Sequence, residues 1–162
     1  MSKAGSLTSS DVGVSQTAWP VMAERARILL VDDDERNLLA LSEVLEPLAD
    51  VVTATSGRLA LRELLKDDFA VILLDVFMPE MDGYETMQRI RADADLANIP
   101  LISVTAKAMK GDRQKCLDAG ASDYISKPVD IDLLLALLRV WIGRAKAEAD
   151  AGQPATAAQS AA

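Results

Sequence analysis

The sequence of 162 residues contains no histidine, and this absence excludes several kinds of chemistry. Catalysis by Ser-His-Asp and Cys-His groups needs a histidine base, and zinc sites with histidine ligands are excluded for the same reason. The chain also cannot be the histidine-phosphorylated member of a phosphotransfer pair. Its chemistry must therefore use carboxylates, hydroxyls, lysine or a metal ion.

Cysteine, basic residues and long apolar runs are also scarce. The single cysteine, Cys116, excludes an internal disulfide and fits a reducing compartment. The formal net charge of −8 argues against nucleic acid as a main partner, because phosphate contacts need clustered Lys and Arg. No apolar run approaches the roughly 18 residues of a membrane span, and the N-terminus lacks the apolar core of a signal peptide. We therefore predict a cytoplasmic protein that binds neither nucleic acid nor membranes.

The organisation of the chain follows from its composition. Half of the residues are hydrophobic, which is typical of a globular chain, and the length fits one ordinary domain. We predict a flexible tail at residues 1–25, a single domain at residues 26–144 and an alanine-rich tail at residues 145–162. The beginning of the second tail could extend a preceding helix.

Five short apolar runs alternate with helical segments along the predicted domain. The runs are "ARILLV", "DVVTA", "AVILL", "PLISV" and "SDYIS", and the segments between them carry apolar residues at helical spacing. Four of the predicted helices have a capping residue, namely Asp34, Ser56, Asp82 and Asp130. Near-continuous apolar strands between amphipathic helices are typical of a parallel sheet covered on both faces. We predict an α/β fold, a flavodoxin-like (βα)5 doubly wound parallel sheet with the strand order 2-1-3-4-5.

Functional side chains are predicted at the carboxyl ends of these strands, where such sheets bind ligands. The residues that follow strands one, three, four and five are Asp32, Asp33 and Asp34, then Asp75, then Thr105 and Ala106, and finally Lys127 and Pro128. Taken singly, each of them has a simpler explanation as a helix cap, a turn acid or a loop residue. Their common position at one edge of the sheet favours a functional site.

The chemistry of this edge follows from its carboxylates. Clustered acids raise each other's pKa values unless a cation joins them. Three carboxylates without histidine or thiolate form a hard oxygen site that suits Mg²⁺, with Mn²⁺ as the alternative. Together with a lysine and a threonine hydroxyl, they indicate a site for a tetrahedral anion on Asp75. This is the pattern of a carboxylate that forms an aspartyl phosphate.

Four segments resemble the receiver domain of two-component response regulators. They are "ILLVDDDERN", "LLDVFMPEMDGYE", "ISVTAKAM" and "AGASDYISKPVD", in this order across residues 26–141. The resemblance implies that Asp75 accepts a phosphoryl group. It also implies that Asp32, Asp33, Asp75 and the backbone carbonyl of Phe77 hold Mg²⁺, with Asp33 as a direct ligand and Asp32 acting through water.

The resemblance assigns roles to the other strand ends as well. Thr105, Ala106 and Lys127 are expected to bind the phosphoryl group, and Thr105 and Tyr124 are expected to form the switch that responds to it. The peptide bond between Lys127 and Pro128 is expected to be cis. Phe77 lacks a side-chain amide or acid that could orient an attacking water, so we expect slow self-dephosphorylation.

The function implied is that of a stand-alone, single-domain response regulator rather than an enzyme. Its donor would be a sensor or hybrid histidine kinase, or a histidine phosphotransfer protein. Phosphorylation would either change the surface for a downstream target or pass the phosphate on to a phosphotransfer protein. One alternative is a phosphohydrolase of the haloacid-dehalogenase type, which needs a second acid where this chain has Phe77. Another is a receiver-like scaffold that works without phosphorylation.

Overall fold

The computed structural model of the protein describes residues 25–106 and 110–161. Five strands and five helices alternate in these residues, as the sequence predicts. In chain order they are β1 (Arg27–Val31), α1 (Glu35–Leu45), β2 (Asp50–Ala54), α2 (Gly57–Lys66), β3 (Val71–Asp75), α3 (Gly83–Ala92), β4 (Leu101–Thr105), α4 (Lys110–Ala119), β5 (Asp123–Ser126) and α5 (Ile131–Ala161).

The strands form one parallel sheet in the order β2-β1-β3-β4-β5, which confirms the predicted fold. The order reverses direction between β1 and β3, so their connections leave toward opposite faces of the sheet. A crevice forms at such a reversal, beyond the carboxyl ends of the two strands. In the register of the sheet, Val31 at the end of β1 lies opposite Leu74 of β3. The residues that follow them are therefore neighbours.

Two hydrophobic cores lie on the two faces of the sheet. Successive side chains of β3 alternate between them, because strand residues point to opposite faces: Ile72 and Leu74 join one core, and Val71 and Leu73 join the other. Helices α2, α3 and α4 cover the first face, and α1 and α5 cover the second. Burial on both faces explains why the central strands have continuous apolar sequences.

The predicted helix caps are present. The side chains of Asp34, Ser56 and Asp82 accept hydrogen bonds from the backbone N–H groups in the first turns of α1, α2 and α3. Asp130 accepts one from the N–H of Leu133 in α5, at 3.2 Å. Each cap satisfies a backbone donor that would have no partner within its helix.

The two predicted tails have different outcomes. Residues 1–24 of the first lie outside the described residues. The helix α5 continues to Ala161 and therefore includes most of the predicted tail at residues 145–162. The sequence suggested a helical extension only at the beginning of this tail. The domain boundary at residue 144 stays a prediction. In the described part of the chain, no helix is long and apolar enough to cross a membrane.

Candidate functional site

Three carboxylates meet at the carboxyl edge of the sheet. Asp32 follows β1 directly, and Asp75 is the last residue of the neighbouring β3. One oxygen from each of Asp32, Asp33 and Asp75 lies within 4.8 Å of the others. The side chain of Asp33 is exposed, whereas Asp32 and Asp75 are only 5% and 4% exposed. The structure thus brings together the three acids that the sequence predicts as metal ligands.

Lys127 reaches this cluster from the end of β5. Its Nζ lies 3.4 Å from Oδ2 of Asp32 and 3.5 Å from Oδ2 of Asp75. Its backbone N–H donates to the carbonyl of Thr105 at 2.8 Å, and the peptide bond to Pro128 is cis. A buried carboxylate is costly to desolvate without a partner. The ammonium group supplies that partner to two buried acids at once.

The environment of Asp75 raises its pKa from 3.8 to about 6. Burial of the carboxylate is the largest cause, and the nearby charge of Asp32 is the second. The charge of Lys127 and a hydrogen bond from the N–H of Phe77 to Oδ1, at 3.2 Å, act in the opposite direction. The ionised form of Asp75 is therefore destabilised here, and an added cation would relieve this destabilisation.

The backbone behind Asp75 is held by a close contact with α3. Gly83 donates its N–H to the carbonyl of Val76 at 2.8 Å, which closes the loop between β3 and α3. A Cβ atom at this position would lie 2.5 Å from Cα of Val76 and 2.6 Å from the carbonyl oxygen of Asp75. Only glycine fits such an approach. Phe77 lies in the same loop, and 42% of its surface is exposed.

The remaining predicted residues lie on β4 and β5. Thr105 ends β4 and is fully buried, one residue beyond Val104, which pairs with Asp75. Ala106 follows it and is exposed. Tyr124 of β5 is half-buried and pairs in register with Ser103 of β4. The structure therefore places Thr105 beside the end of the acceptor strand and Tyr124 farther back along the sheet.

One residue of the site has no predicted role in the sequence analysis. Asn37 of α1 donates a hydrogen bond from Nδ2 to Oδ2 of Asp32 at 3.1 Å. Oδ1 of Asp32 accepts the backbone N–H of Asp34 at 2.9 Å. The position of Asn37 in the sequence is the feature that predicts this contact. Asn37 is the third residue of α1, and helical side chains point back toward the N-terminus of their helix, where Asp32 lies.

The donor set suits a hard divalent cation. The ligand atoms that converge here are carboxylate oxygens, and no sulfur or imidazole competes with them because the chain has no histidine and Cys116 is buried in the core. Oxygen ligands of this kind favour Mg²⁺ or Mn²⁺. The residues present therefore fit the kind of cation that the sequence predicts.

Comparison with known families agrees with this fold. A family model described as the response regulator receiver domain matches residues 28–139. The match covers more than half of the chain and includes β1 through most of the apolar part of α5. The protein therefore belongs to the family of response regulator receiver domains.

Two curated relatives show the range of proteins that carry such a domain. The chain is 40% identical over 115 residues to the response regulator PleD of Caulobacter vibrioides, a match to 70% of this chain and 25% of PleD. It is 33% identical over 130 residues to the sensor protein GacS of Pseudomonas syringae pv. syringae, a match to 78% of this chain and 14% of GacS. The chain thus spans a quarter or less of the length of these relatives.

A solved structure with the same fold is the receiver domain of the sensor histidine kinase PA1611 from Pseudomonas aeruginosa PAO1. It is 36% identical to this chain, with a TM-score of 0.68, and the match covers 75% of this chain and 99% of that one. That structure has a magnesium ion coordinated in its active site cleft.

Proposed function

We propose that this protein is a phosphoacceptor, in which Asp75 receives a phosphoryl group from a phosphohistidine of a partner protein. The partner would be a sensor or hybrid histidine kinase, or a histidine phosphotransfer protein. The observation that carries the proposal is the buried Asp75 carboxylate, which lies between two further acids and the ammonium group of Lys127. A buried acid in this setting can act as a nucleophile toward phosphorus once its negative neighbours are neutralised.

The transfer step is a displacement at phosphorus. A carboxylate oxygen of Asp75 forms the new P–O bond while the P–N bond to the donor histidine breaks. The histidine nitrogen keeps the electron pair and takes up a proton. Lys127, which contacts Oδ2 of Asp75, would neutralise the charge of the phosphoryl oxygens. Thr105 and Ala106 at the end of β4 would bind the same oxygens.

The acidic cluster would hold Mg²⁺ during this step. Asp33, Asp75 and the backbone carbonyl of Phe77 would be direct ligands, and Asp32 would act through water. When bound, Mg²⁺ supplies positive charge that allows an anionic phosphoryl group to approach three carboxylates. The magnesium-containing receiver domain of PA1611 supports this assignment, as does the oxygen-only character of the cluster.

The output would be a change of surface near β4 and β5. The phosphoryl group would draw in the hydroxyl of Thr105, and the ring of Tyr124 would then turn inward. Such a local charge event would shift a two-state element, which either binds a target protein or exposes the phosphate to a phosphotransfer protein. A cytoplasmic location is part of the same proposal. Phe77 argues against a phosphohydrolase, since it leaves no second acid two residues past Asp75.

Incubation with acetyl phosphate and Mg²⁺, followed by intact-mass measurement, tests the proposal. The wild type should gain one phosphate, and Asp75→Ala should gain none. Asp50→Ala is the matched control, because Asp50 is an exposed acid at the opposite end of the sheet. It should be phosphorylated like the wild type. A wild type that gains no phosphate, or an Asp75→Ala variant that gains it equally, would contradict the proposal.

A further inference from the structure

Both oxygens of Asp32 are held by neighbouring groups. Oδ1 accepts the backbone N–H of Asp34 at 2.9 Å. Oδ2 accepts the side-chain amide of Asn37 at 3.1 Å and contacts Nζ of Lys127 at 3.4 Å. These contacts define one orientation of a carboxylate that is 5% exposed. The amide of Asn37 has no role in the function proposed above.

Asn37 is well placed to act on Asp32 from a rigid element. It occupies the third position of α1, whose N-cap is Asp34, and its backbone N–H donates to the carbonyl of Asp34 at 3.0 Å. The start of the helix therefore fixes the position of its Cα. Its side chain points back toward the strand end, as helical geometry requires.

Packing does not by itself require asparagine at this position. Asn37 borders a cavity of about 250 Å³ that Asp32, Lys127 and apolar residues of α1 and the β5–α5 connection also line. Its side chain is only partly buried. Asparagine is also a poorer helix former than alanine or leucine by roughly 0.5 kcal/mol. The hydrogen bond to Asp32 is therefore the contact that distinguishes asparagine from these helix formers at this position.

The chemistry of an amide suits this contact. A neutral N–H donor can orient a carboxylate without adding positive charge, whereas a second lysine or arginine would repel an incoming cation. The amide also supplies one hydrogen bond to Oδ2 of Asp32. Lys127 can then be shared with Asp75, whose Oδ2 lies at nearly the same distance from Nζ.

We propose that Asn37 is a positioning residue for the divalent-cation site, acting through the carboxylate of Asp32. Its amide holds Asp32 in the orientation that serves the cation and leaves the ammonium group of Lys127 available to Asp75. This inference rests on the proposed function, because it concerns the same cation. Removing a hydrogen-bond partner of a direct metal ligand typically changes metal affinity about 10–100-fold, and Asn37, whose partner Asp32 acts through water, is expected at the lower end of this range.

The first test measures the Mg²⁺ affinity of Asn37→Ala by calorimetric titration. We expect binding to be weaker by about ten-fold, at the lower end for such partners, because water can partly replace the lost donor. The free energy of unfolding without Mg²⁺ should be unchanged or higher, since alanine favours the helix. Leu39→Ala is the matched control on the same helix, where the side chain is 62% exposed. It should bind Mg²⁺ like the wild type.

The second test asks whether Asn37 acts through Asp32. In an Asp32→Asn background, the further change Asn37→Ala should have little effect on Mg²⁺ affinity, because residues that act through one contact are not additive. An equal loss in both backgrounds would overturn the inference. If the Asp32→Asn protein binds Mg²⁺ too weakly for titration, the affinities of the single variants Asn37→Ala and Leu39→Ala decide whether the inference holds.

The outcomes separate this inference from the proposed function. An Asn37→Ala affinity within about two-fold of the wild type, far below the loss expected for such a partner, would overturn the inference. The proposed function would stand in that case if the wild type still binds Mg²⁺ and is phosphorylated on Asp75. A wild type that neither binds Mg²⁺ nor accepts phosphate would overturn both.

Discussion

A buried aspartate and a partly buried arginine at opposite ends of the sheet are stabilised in different ways. Asp75, at the carboxyl end, has another acid beside it and shares one ammonium group with it. Arg91, near the amino ends of β4 and β5, donates hydrogen bonds to the carbonyls of Gly120, Ala97 and Ile99 at 2.8, 3.0 and 2.7 Å. The arginine is thus satisfied by neutral groups, whereas the aspartate is not.

The pKa shifts of the two residues reflect this difference. Burial lowers the pKa of the Arg91 guanidinium, but its hydrogen bonds join α3 to two segments of backbone, one with Ala97 and Ile99 and the other with Gly120. Burial and the charge of Asp32 raise the pKa of Asp75. The guanidinium of Arg91, which stabilises the fold, is surrounded by hydrogen-bond acceptors. The carboxylate of Asp75, at the functional edge, lies next to the negative charge of Asp32, which a cation can neutralise.

The largest effect on stability is expected at the structural charge. Arg91→Ala should lower the free energy of unfolding by on the order of 3 kcal/mol, because several part-buried carbonyls lose their donor. Arg89→Ala on the same helix is the control: its ion pair with Glu85 is exposed and should contribute less than about 1 kcal/mol. Urea unfolding measures both. If Arg91→Ala and Arg89→Ala lowered the free energy of unfolding equally, Arg91 would not be a charge that stabilises the fold, and its contrast with Asp75 would be refuted.

The next effect should appear in phosphorylation rather than in folding. Lys127→Ala removes the cation shared by Asp32 and Asp75, so we expect the rate of phosphorylation to fall by about 10²-fold. The rate is measured with acetyl phosphate and saturating Mg²⁺. Lys66→Ala, at an exposed ion pair with Glu63, should leave it unchanged. A Lys127→Ala protein as fast as the wild type would show that the ammonium group is only structural.

The pH dependence of stability sharpens the comparison further. The pKa of Asp75 is raised from 3.8 to about 6 in the folded state, so the folded state binds more protons between these values. Stability should therefore fall as pH rises from about 4 to about 6, and it should stay lower above that. Asp75→Asn should remove this loss and be more stable than the wild type at pH 7 by on the order of 1–2 kcal/mol.

Urea unfolding at pH 4 and pH 7 checks this sign. The advantage of Asp75→Asn should be small at pH 4, because the folded-state carboxyl is protonated there and the unfolded-state carboxyl, with its pKa of 3.8, is still partly protonated. Asp50→Asn is the matched control at an exposed acid. A variant that is less stable than the wild type at pH 7 would mean that the contact with Lys127 outweighs burial and repulsion.

The smallest effect is expected at Phe77. Phe77 lies two residues past the acceptor, and its side chain has no amide or acid that could orient an attacking water. Phe77→Asn should therefore speed the loss of phosphate from Asp75 by a few-fold. Phe77→Leu keeps an apolar side chain and should remain slow. Decay of the phosphorylated mass with time distinguishes them, and equal decay in the wild type and Phe77→Asn would refute this role.

The sequence predicted the fold and the three acids because these depend on short-range patterns. A strand buried on both faces has a continuous apolar run, and an acid directly after it has to lie at the sheet edge. Asn37 and Arg91 were missed for a physical reason. Their roles depend on contacts with residues that are distant along the chain or in a turn, and both appear in the sequence as ordinary polar positions of amphipathic helices.

The helix α5 shows a second limit of sequence patterns. The alanine-rich composition after residue 144 is compatible with a tail or with a helix, and the periodic apolar residues that would decide between them are absent there. The structure continues the helix to Ala161. Composition alone therefore does not determine where the last helix ends.

The close approach of Gly83 to the backbone of Asp75 and Val76 has a practical consequence for the design of reporters. The hydrogen bond from Gly83 to Val76 closes the loop between β3 and α3, and the side chain of Phe77 in this loop is exposed. A spectroscopic label at Phe77 would therefore lie two residues beyond the end of β3, close to Asp75 along the chain. Its signal should report changes at Asp75, which lies two residues away along the chain.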